Sequence, residues 1–294
     1  MSSHRTLLPG VFLGTHAVSE GFLIKDQLRR RSYRRVVRGV YADPSLVADH
    51  RLRARGVALL MPADAVIAGH SAAAWYGAEY ASWRDPVTIV RSDPSPWRGP
   101  RGVRLHRTAL RPGEVVTIDD VRLTTARRTA WDVAALEPLT TAVAALDKMV
   151  RDRHLTLPDL AEIAAEGLGR WGVAKVRRAF PLVDPRAESP PESWLRVEFV
   201  LAGLAPVPQF EVFGVDGGFV GRVDLAWPDL LVAVEYEGPH HFDAEQQRLD
   251  EIRLAALRRE GWVVIRLSAA DLRDMAGIVA RVQAALSAAA ERRR

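Results

Sequence analysis

Four prolines fall within eleven residues at 181–191 (PLVDPRAESPP). Proline has no N–H to donate and fixes φ near −65°, so neither a helix interior nor a central strand runs through such a stretch. The 294-residue chain is therefore read as two bodies joined there, as a prior of roughly 100–200 residues per domain also suggests. Charge changes sign across the same point. Residues 1–150 carry 22 Lys+Arg against 14 Asp+Glu, a net +8; residues 151–185 carry 6 against 5, a net +1; residues 186–294 carry 13 against 17, a net −4. A basic front and an acidic back point to two different tasks.

Exclusions narrow those tasks. The chain has no cysteine, which removes disulfides, thiolate zinc sites, iron–sulfur clusters and cysteine nucleophiles. No apolar run reaches the roughly 18 residues of a membrane helix. The start, MSSHRTLLPGVFLG, lacks the long apolar stretch and small-residue cleavage site of a secretory signal. The expectation is a cytoplasmic protein without a membrane partner. Gly-rich phosphate loops, G-x-S-x-G and H-E-x-x-H are also missing from the sequence, which sets aside the chemistries they serve.

Periodicity predicts a helix over 19–32, a strand over 36–42 (VVRGVYA), and helices over 45–61 and 69–79. Short strands follow at 87–91 and 103–106, around the Pro/Gly-rich DPSPWRGPRG, with more β character over 115–123. Residues 125–151 read as helices broken at Pro138, and 156–180 as one or two more. Beyond the prolines, a mixed sheet is predicted from 209–213, 219–226, 230–237 and 263–267, flanked by helices 190–203, 243–260 and 270–290. The chain is thus an α/β (α+β) protein with regions 1–58, 59–180 and 186–294.

Two constellations carry chemistry. Arg29, Arg30, Arg31, Arg34, Arg35 and Arg38 fall within ten residues, at a predicted helix end running into a hairpin. A winged helix uses this arrangement to place a helix in the major groove and the hairpin on the backbone. Each arginine on a phosphate releases counterion and makes binding salt-sensitive. The alternative is a solvated basic face, since cations suit a helix C-terminus. Around this cluster the run LRRRSYRRVVRGVYADPS resembles the winged-helix start of abortive-infection-type antitoxins. GHSAAAWYG and TTARRTAWDVAAL are similar to that group's small α/β region. His70, Trp75, Tyr76 and Trp131 in these motifs are read as core rather than as a ligand site.

The second constellation lies in FVGRVDLAWPDLLVAVEYEG, residues 219–238. Two β-rich runs flank the turn signal Trp227-Pro228-Asp229. Side chains alternate along a strand, so Glu235 and Glu237 share a face, roughly 7 Å apart at about 3.3 Å per residue. Two like charges among apolar residues need compensation. A divalent cation supplies it, and Asp224 on the neighbouring strand offers a further oxygen. Mg²⁺ or Mn²⁺ on carboxylates keeps waters and leaves room for a phosphate, the setting of phosphodiester hydrolysis. His240 and His241 follow the strand and suit a general base or phosphate contact, or are solvated loop residues. Gln209 approaches from the preceding strand. Asp250 and Arg253, one helical turn apart, are expected to pair with each other. Ser189-Pro190-Pro191-Glu192 also reads as a capping box, so Glu192 is either a cap or a site acid.

Residues 186–286, through ESPPESWLRVEFVLAGL, VPQFEVFG, RVDLAWPDLLVAVEYEGPHHF and RLDEIRLAALRREGWVVIRLSAADL, look like the C-terminal domain of a large actinobacterial family. That domain is similar to the very-short-patch repair endonuclease and has the restriction-endonuclease-like fold. The resemblance implies that Glu192 matches the first-helix acid, Asp224 the central aspartate and Glu235 the next acid. Glu237 falls where many such nucleases carry lysine and others an acid; no lysine follows Lys175. Two functions are expected from these resemblances. One is a DNA-binding protein with a Mg²⁺- or Mn²⁺-dependent endonuclease domain, in DNA repair or phage defence. The other is an antitoxin-like transcriptional repressor with an inactive nuclease-like domain. The expected partners are DNA, a cognate toxin protein in the repressor reading, and a second copy of the chain as a homodimer.

Overall fold

Glycine and proline set many of the element boundaries in the computed structural model, which describes residues 8–29, 33–93, 96–238 and 244–294. β1 (Val11–Leu13) leads into α1 (Gly14–Ser19), a turn, α2 (Lys25–Arg29) and the strands β2 (Arg34–Val37) and β3 (Val40–Ala42). These strands form a three-stranded antiparallel sheet in the order β1-β3-β2. Beyond Ser19, where α1 ends, the helix expected over 19–32 forms among the described residues only over 25–29. Residues 20–24 turn instead, and α1 lies almost wholly ahead of the expected helix, where none was predicted. Gly21 turns the chain at φ +75°, and Leu23 packs inward with Ala17 and Tyr33. Gln27 Oε1 then accepts the Ile24 N–H at 2.8 Å, half of a capping box that opens α2. The strand expected over 36–42 is a hairpin for a similar reason: Gly39, at φ +84°, closes a two-residue turn that few other residues accept.

α3 (His50–Ala58) begins where Asp49 caps it, accepting the Leu52 N–H at 2.6 Å, rather than at residue 45. It lies so close to the small sheet that a Cβ on Gly56 would come within 2.5 Å of Val36. β4 (Val66–Ile67), α4 (Gly69–Ala73), β5 (Val87–Arg91), β6 (Val103–Arg107), β7 (Val115–Ile118) and β8 (Val121–Thr124) follow. Their strands form a second sheet in the order β6-β5-β4-β8-β7. β5 and β6 pair in parallel, so the Pro/Gly-rich stretch between them does not close a hairpin. α5 (Ala126–Leu136) and α6 (Leu139–Arg151) flank Pro138, as the sequence predicts, and α7 (Leu157–Glu166) and α8 (Val173–Ala179) complete the first half.

The chain forms two compact units, residues 1–137 with 152–180 and residues 138–151 with 181–294. The second division meets the proline-rich stretch. α6, which periodicity alone groups with 59–180, belongs to the second unit, and a buried aspartate accounts for this. Asp147, 1% exposed, accepts the Asp184 N–H at 2.7 Å, the Ser193 hydroxyl at 2.7 Å and Arg196 Nη2 at 2.8 Å.

Within the second unit, α9 (Pro190–Leu201) precedes β9 (Val207–Phe213), β10 (Phe219–Trp227) and β11 (Val232–Glu237). α10 (Ala244–Arg259) then crosses to β12 (Val263–Ser268), and α11 (Met275–Arg292) ends the chain. The sheet order is β12-β11-β10-β9. β9, β10 and β11 are antiparallel neighbours and β12 is parallel to β11, which requires a long crossover such as α10. Val232 and Val234 pack with Leu195 and Phe199 of α9 and Ile278 and Val282 of α11. Ala226 and Ala233 pack on the other side with Leu254 and Leu257 of α10. This is the mixed, helix-flanked sheet the sequence predicts, except that residues 230 and 231 leave the strand. Leu230 closes a 3-10 turn over Pro228–Leu230, and Leu231 adopts φ +50°. The whole is a mixed α/β protein. Among the described residues no helix is long and apolar enough to cross a membrane.

Candidate functional site

Four elements of the second unit bring acids and amides together. Ser189 caps α9 and Glu192 stands in its first turn, 6% exposed. Glu192 Oε1 accepts the Ser189 hydroxyl at 2.7 Å. Its Oε2 accepts the Glu188 N–H at 2.9 Å and Gln209 Nε2 at 2.7 Å. Ser189 thus caps the helix with its hydroxyl, whereas Glu192 takes that hydroxyl and the Glu188 N–H in place of the Ser189 N–H of a full capping box. Its carboxylate is fixed toward β9. Gln209 adopts φ +52° within a strand, an unfavourable conformation for a residue with a side chain and one that recurs at functional positions. The flanking pairs, Val223 with Phe210 and Leu225 with Pro208, put Gln209 at the register position opposite Asp224.

Asp224 sits where regular alternation fails. Val223 belongs to the core on the α10 side and Leu225 to the core on the α9 and α11 side, although residues two apart normally share a face. Strand pairing with β11 stops at Leu225, and Asp224 Oδ2 takes the Tyr236 N–H at 2.8 Å. Burial, joined by the charges of Glu192 and Glu235, pushes the Asp224 carboxyl up to about 7. A carboxyl displaced this far by its surroundings is a recognised mark of functional sites.

Glu235 and Glu237 share a face as predicted, but arginines compensate them. Both oxygens of Glu235 engage Arg253, at 2.5 and 3.0 Å. Arg253 also holds Asp250 at 2.7 Å, the pairing read from the sequence. Glu237 pairs with Arg266 of β12, and Arg266 comes within 3.9 Å of Asp250. Sequence reasoning missed both arginines as partners of the strand acids. One signal was available: Arg253 immediately precedes Leu254 and lies four residues before Leu257, the sheet-facing apolar positions of α10. Gly221 completes the fit, since a Cβ there would meet the Arg253 stem at 3.1 Å. Among the described residues no three His, Asp or Glu stand together as a group able to hold a metal ion. His240 and His241 lie outside the described residues.

The basic cluster of the first unit divides in use. Arg29 ends α2, and Arg30 and Arg31 lie outside the described residues. Arg34 donates to the Leu46 and Pro44 carbonyls, so it holds the chain after the hairpin. Arg35 and Arg38 are exposed. Much of the remaining positive charge is tied up in ion pairs, including Arg51 and Arg55 with Asp119, Arg91 with Asp64, and Arg128 with Asp132 and Glu114. Trp75, Tyr76 and Trp131 are buried core residues. His70 bonds Glu137 at 2.8 Å and the Pro86 carbonyl at 3.1 Å.

Fold and site thus define a two-unit mixed α/β protein with an acid–arginine cluster on one mixed sheet. The chain is 35% identical over 262 residues to Uncharacterized protein Rv2248 of Mycobacterium tuberculosis strain ATCC 25618 / H37Rv, an alignment covering 86% of this chain and 92% of that protein. The same figures hold for Uncharacterized protein MT2308 of strain CDC 1551 / Oshkosh. The chain belongs to the family of these mycobacterial proteins. No family model and no solved structure matches it.

Proposed function

We propose that the protein binds DNA through its first unit and that its second unit is a restriction-endonuclease-like domain acting on phosphodiester bonds with Mg²⁺ or Mn²⁺. The carrying observation is the convergence of Glu192, Gln209, Asp224 and Glu235 from four elements, with the central carboxyl raised to about 7 by burial and like charge. Arg253 meets the Glu235 carboxylate, whereas Glu192 and Asp224 accept hydrogen bonds from neutral donors. A hard cation with oxygen ligands would supply the charge these two need. The donors fit that cation in kind: Asp224 and Glu192 would hold it, and Glu235 would join them by exchanging Arg253. The metal would polarise the phosphate and activate water. In the first unit, the order strand, short helix, turn at Gly21, short helix and hairpin supports the winged-helix reading. In that reading α2 enters the groove and Arg35 and Arg38 meet the backbone.

A second reading also has a specific observation behind it. Both oxygens of Glu235 are on Arg253, and Glu237 is on Arg266. This favours a DNA-binding repressor whose nuclease-like domain is inactive, with a cognate toxin protein as its further partner. Melting curves with and without Mg²⁺ separate the two. A bound cation stabilises only the folded form, by about 2.7 kcal/mol at a hundredfold excess over Kd. A metal-dependent rise in Tm that is lost in Asp224→Asn supports the nuclease site, whereas no rise in the wild type supports the repressor.

A further inference from the structure

Every N–H of the Arg253 guanidinium is in use. Nη1 donates to Glu235 Oε1 at 2.5 Å and to the Arg222 carbonyl at 3.2 Å. Nη2 donates to Glu235 Oε2 at 3.0 Å and to Asp250 Oδ1 at 2.7 Å, and Nε reaches the same Oδ1 at 3.2 Å. A guanidinium has five N–H donors in a rigid fork, so the fork is fully occupied. Its stem lies against β10 at Gly221, where a Cβ would meet Arg253 Cγ at 3.1 Å and Cδ at 3.2 Å. The absence of a side chain there lets the stem lie flat on the strand.

Exposure is graded along this contact. The Glu235 side chain is 9% exposed, Arg253 29% and Asp250 36%. The guanidinium thus stands between a buried carboxylate and one nearer the surface. It also bears on the centre of the cluster, where ionisation of Asp224 is opposed by Glu192 and Glu235 and favoured by Arg253. Both Glu235 oxygens already serve one cation. A divalent ion placed on Glu235 would stand beside the guanidinium, and like charges at such range repel. This carboxylate serves one cation at a time.

We propose that Arg253 is a built-in competitor for metal at the acid cluster: it holds Glu235 while metal is absent and must release it before Glu235 can serve as a ligand. The competition rests on the nuclease reading of the second unit, whose metal site it regulates. On release the guanidinium keeps Asp250 and the Arg222 carbonyl, so it swings about an anchor near the surface and remains poised to close again. A site whose competent form is only partly populated loses affinity in proportion to that fraction. A pair open about a tenth of the time therefore weakens metal binding about tenfold.

Mn²⁺ titration of the full chain, with free Mn²⁺ counted by electron paramagnetic resonance, tests this in wild type, Arg253→Gln, Arg253→Lys and Arg266→Gln. Lysine keeps the charge but cannot span both carboxylate oxygens, so it loosens the pair without removing a cation. Arg266 pairs with Glu237, so Arg266→Gln measures the effect of lost charge alone. The expected result is Mn²⁺ binding about tenfold tighter than wild type in Arg253→Gln, about threefold tighter in Arg253→Lys and within about twofold of wild type in Arg266→Gln. Mn²⁺ should also restore much of the Tm that Arg253→Gln loses, because a ligand of the folded form stabilises it. Arg253→Lys keeps the test decisive if Arg253→Gln fails to fold. Unchanged or weaker binding in the Arg253 variants, or equal tightening in Arg266→Gln, overturns the competition while wild-type binding leaves the metal site standing. No Mn²⁺ bound by wild type or by any variant removes the metal site itself, and the competition with it.

Discussion

Asp224→Asn isolates the electrostatics of the acid cluster. The folded-state carboxyl lies near 7 against an ordinary 3.8, because burial and the charges of Glu192 and Glu235 disfavour ionisation. An acid whose folded value exceeds its unfolded one adds stability below the unfolded value and loses it as pH climbs toward the folded value. Wild-type stability should therefore decline from pH 4 to 7 on account of this group. The shift of about 3 units corresponds to at most ~4 kcal/mol at 1.36 kcal/mol per unit. Asn keeps an oxygen for the Tyr236 N–H, so the substitution removes the charge and spares the bond. Metal-free Asp224→Asn should be more stable than wild type at pH 8 by about 1–3 kcal/mol, with the gain shrinking toward pH 4. Urea unfolding in chelator at pH 4.5, 6 and 8 reads this difference directly. A variant less stable than wild type at pH 8, or a difference that does not change with pH, would refute the reasoning.

Arg253→Ala strands the buried Glu235 carboxylate and should cost about 3 kcal/mol or more; pairing it with Glu235→Gln should recover much of that loss in a double-mutant cycle. Arg35→Ala with Arg38→Ala should weaken DNA binding for all sequences and lower its salt slope by roughly 0.9 per lost phosphate contact, without moving Tm. Arg34→Ala should instead lower Tm, because its guanidinium holds the 44–46 backbone; a gel-shift salt series and melting curves on both variants check the pair. Gly167→Ala drives a methyl into Trp131 and should destabilise the first unit by about 1–3 kcal/mol in chemical denaturation.

Long-range pattern was legible where periodicity and breakers agreed. The helix after Ser189, the sheet strands and the closing helix of the second unit follow from alternation, capping and glycine or proline ends. Short elements were not. The start of one apparent helix turns at Gly21 instead, because Leu23 packs with Ala17 and Tyr33 and this tertiary contact outweighs local propensity. The short α1 before it was not legible at all. The parallel pairing of β5 with β6 left no local mark, since any turn-rich connection reads as a hairpin. α6 could not be assigned to its unit from sequence, because its partners Asp184, Ser193 and Arg196 are at least 37 residues away from Asp147. The acid face of β11 was legible from its period of two, but its compensation was not, because like charges on a strand show the need for a cation and not whether arginine or metal meets it. Gln209 was legible as a polar strand residue; its left-handed backbone was not.

Plasmid nicking by purified protein with Mn²⁺ or Mg²⁺ bears most directly on the central claim. The acid cluster as a phosphodiesterase centre requires conversion of supercoiled plasmid that stops with chelator and is absent in Asp224→Asn, even though that variant folds at least as stably. Intact plasmid with wild type under both metals, or nicking that persists unchanged in Asp224→Asn, would contradict it.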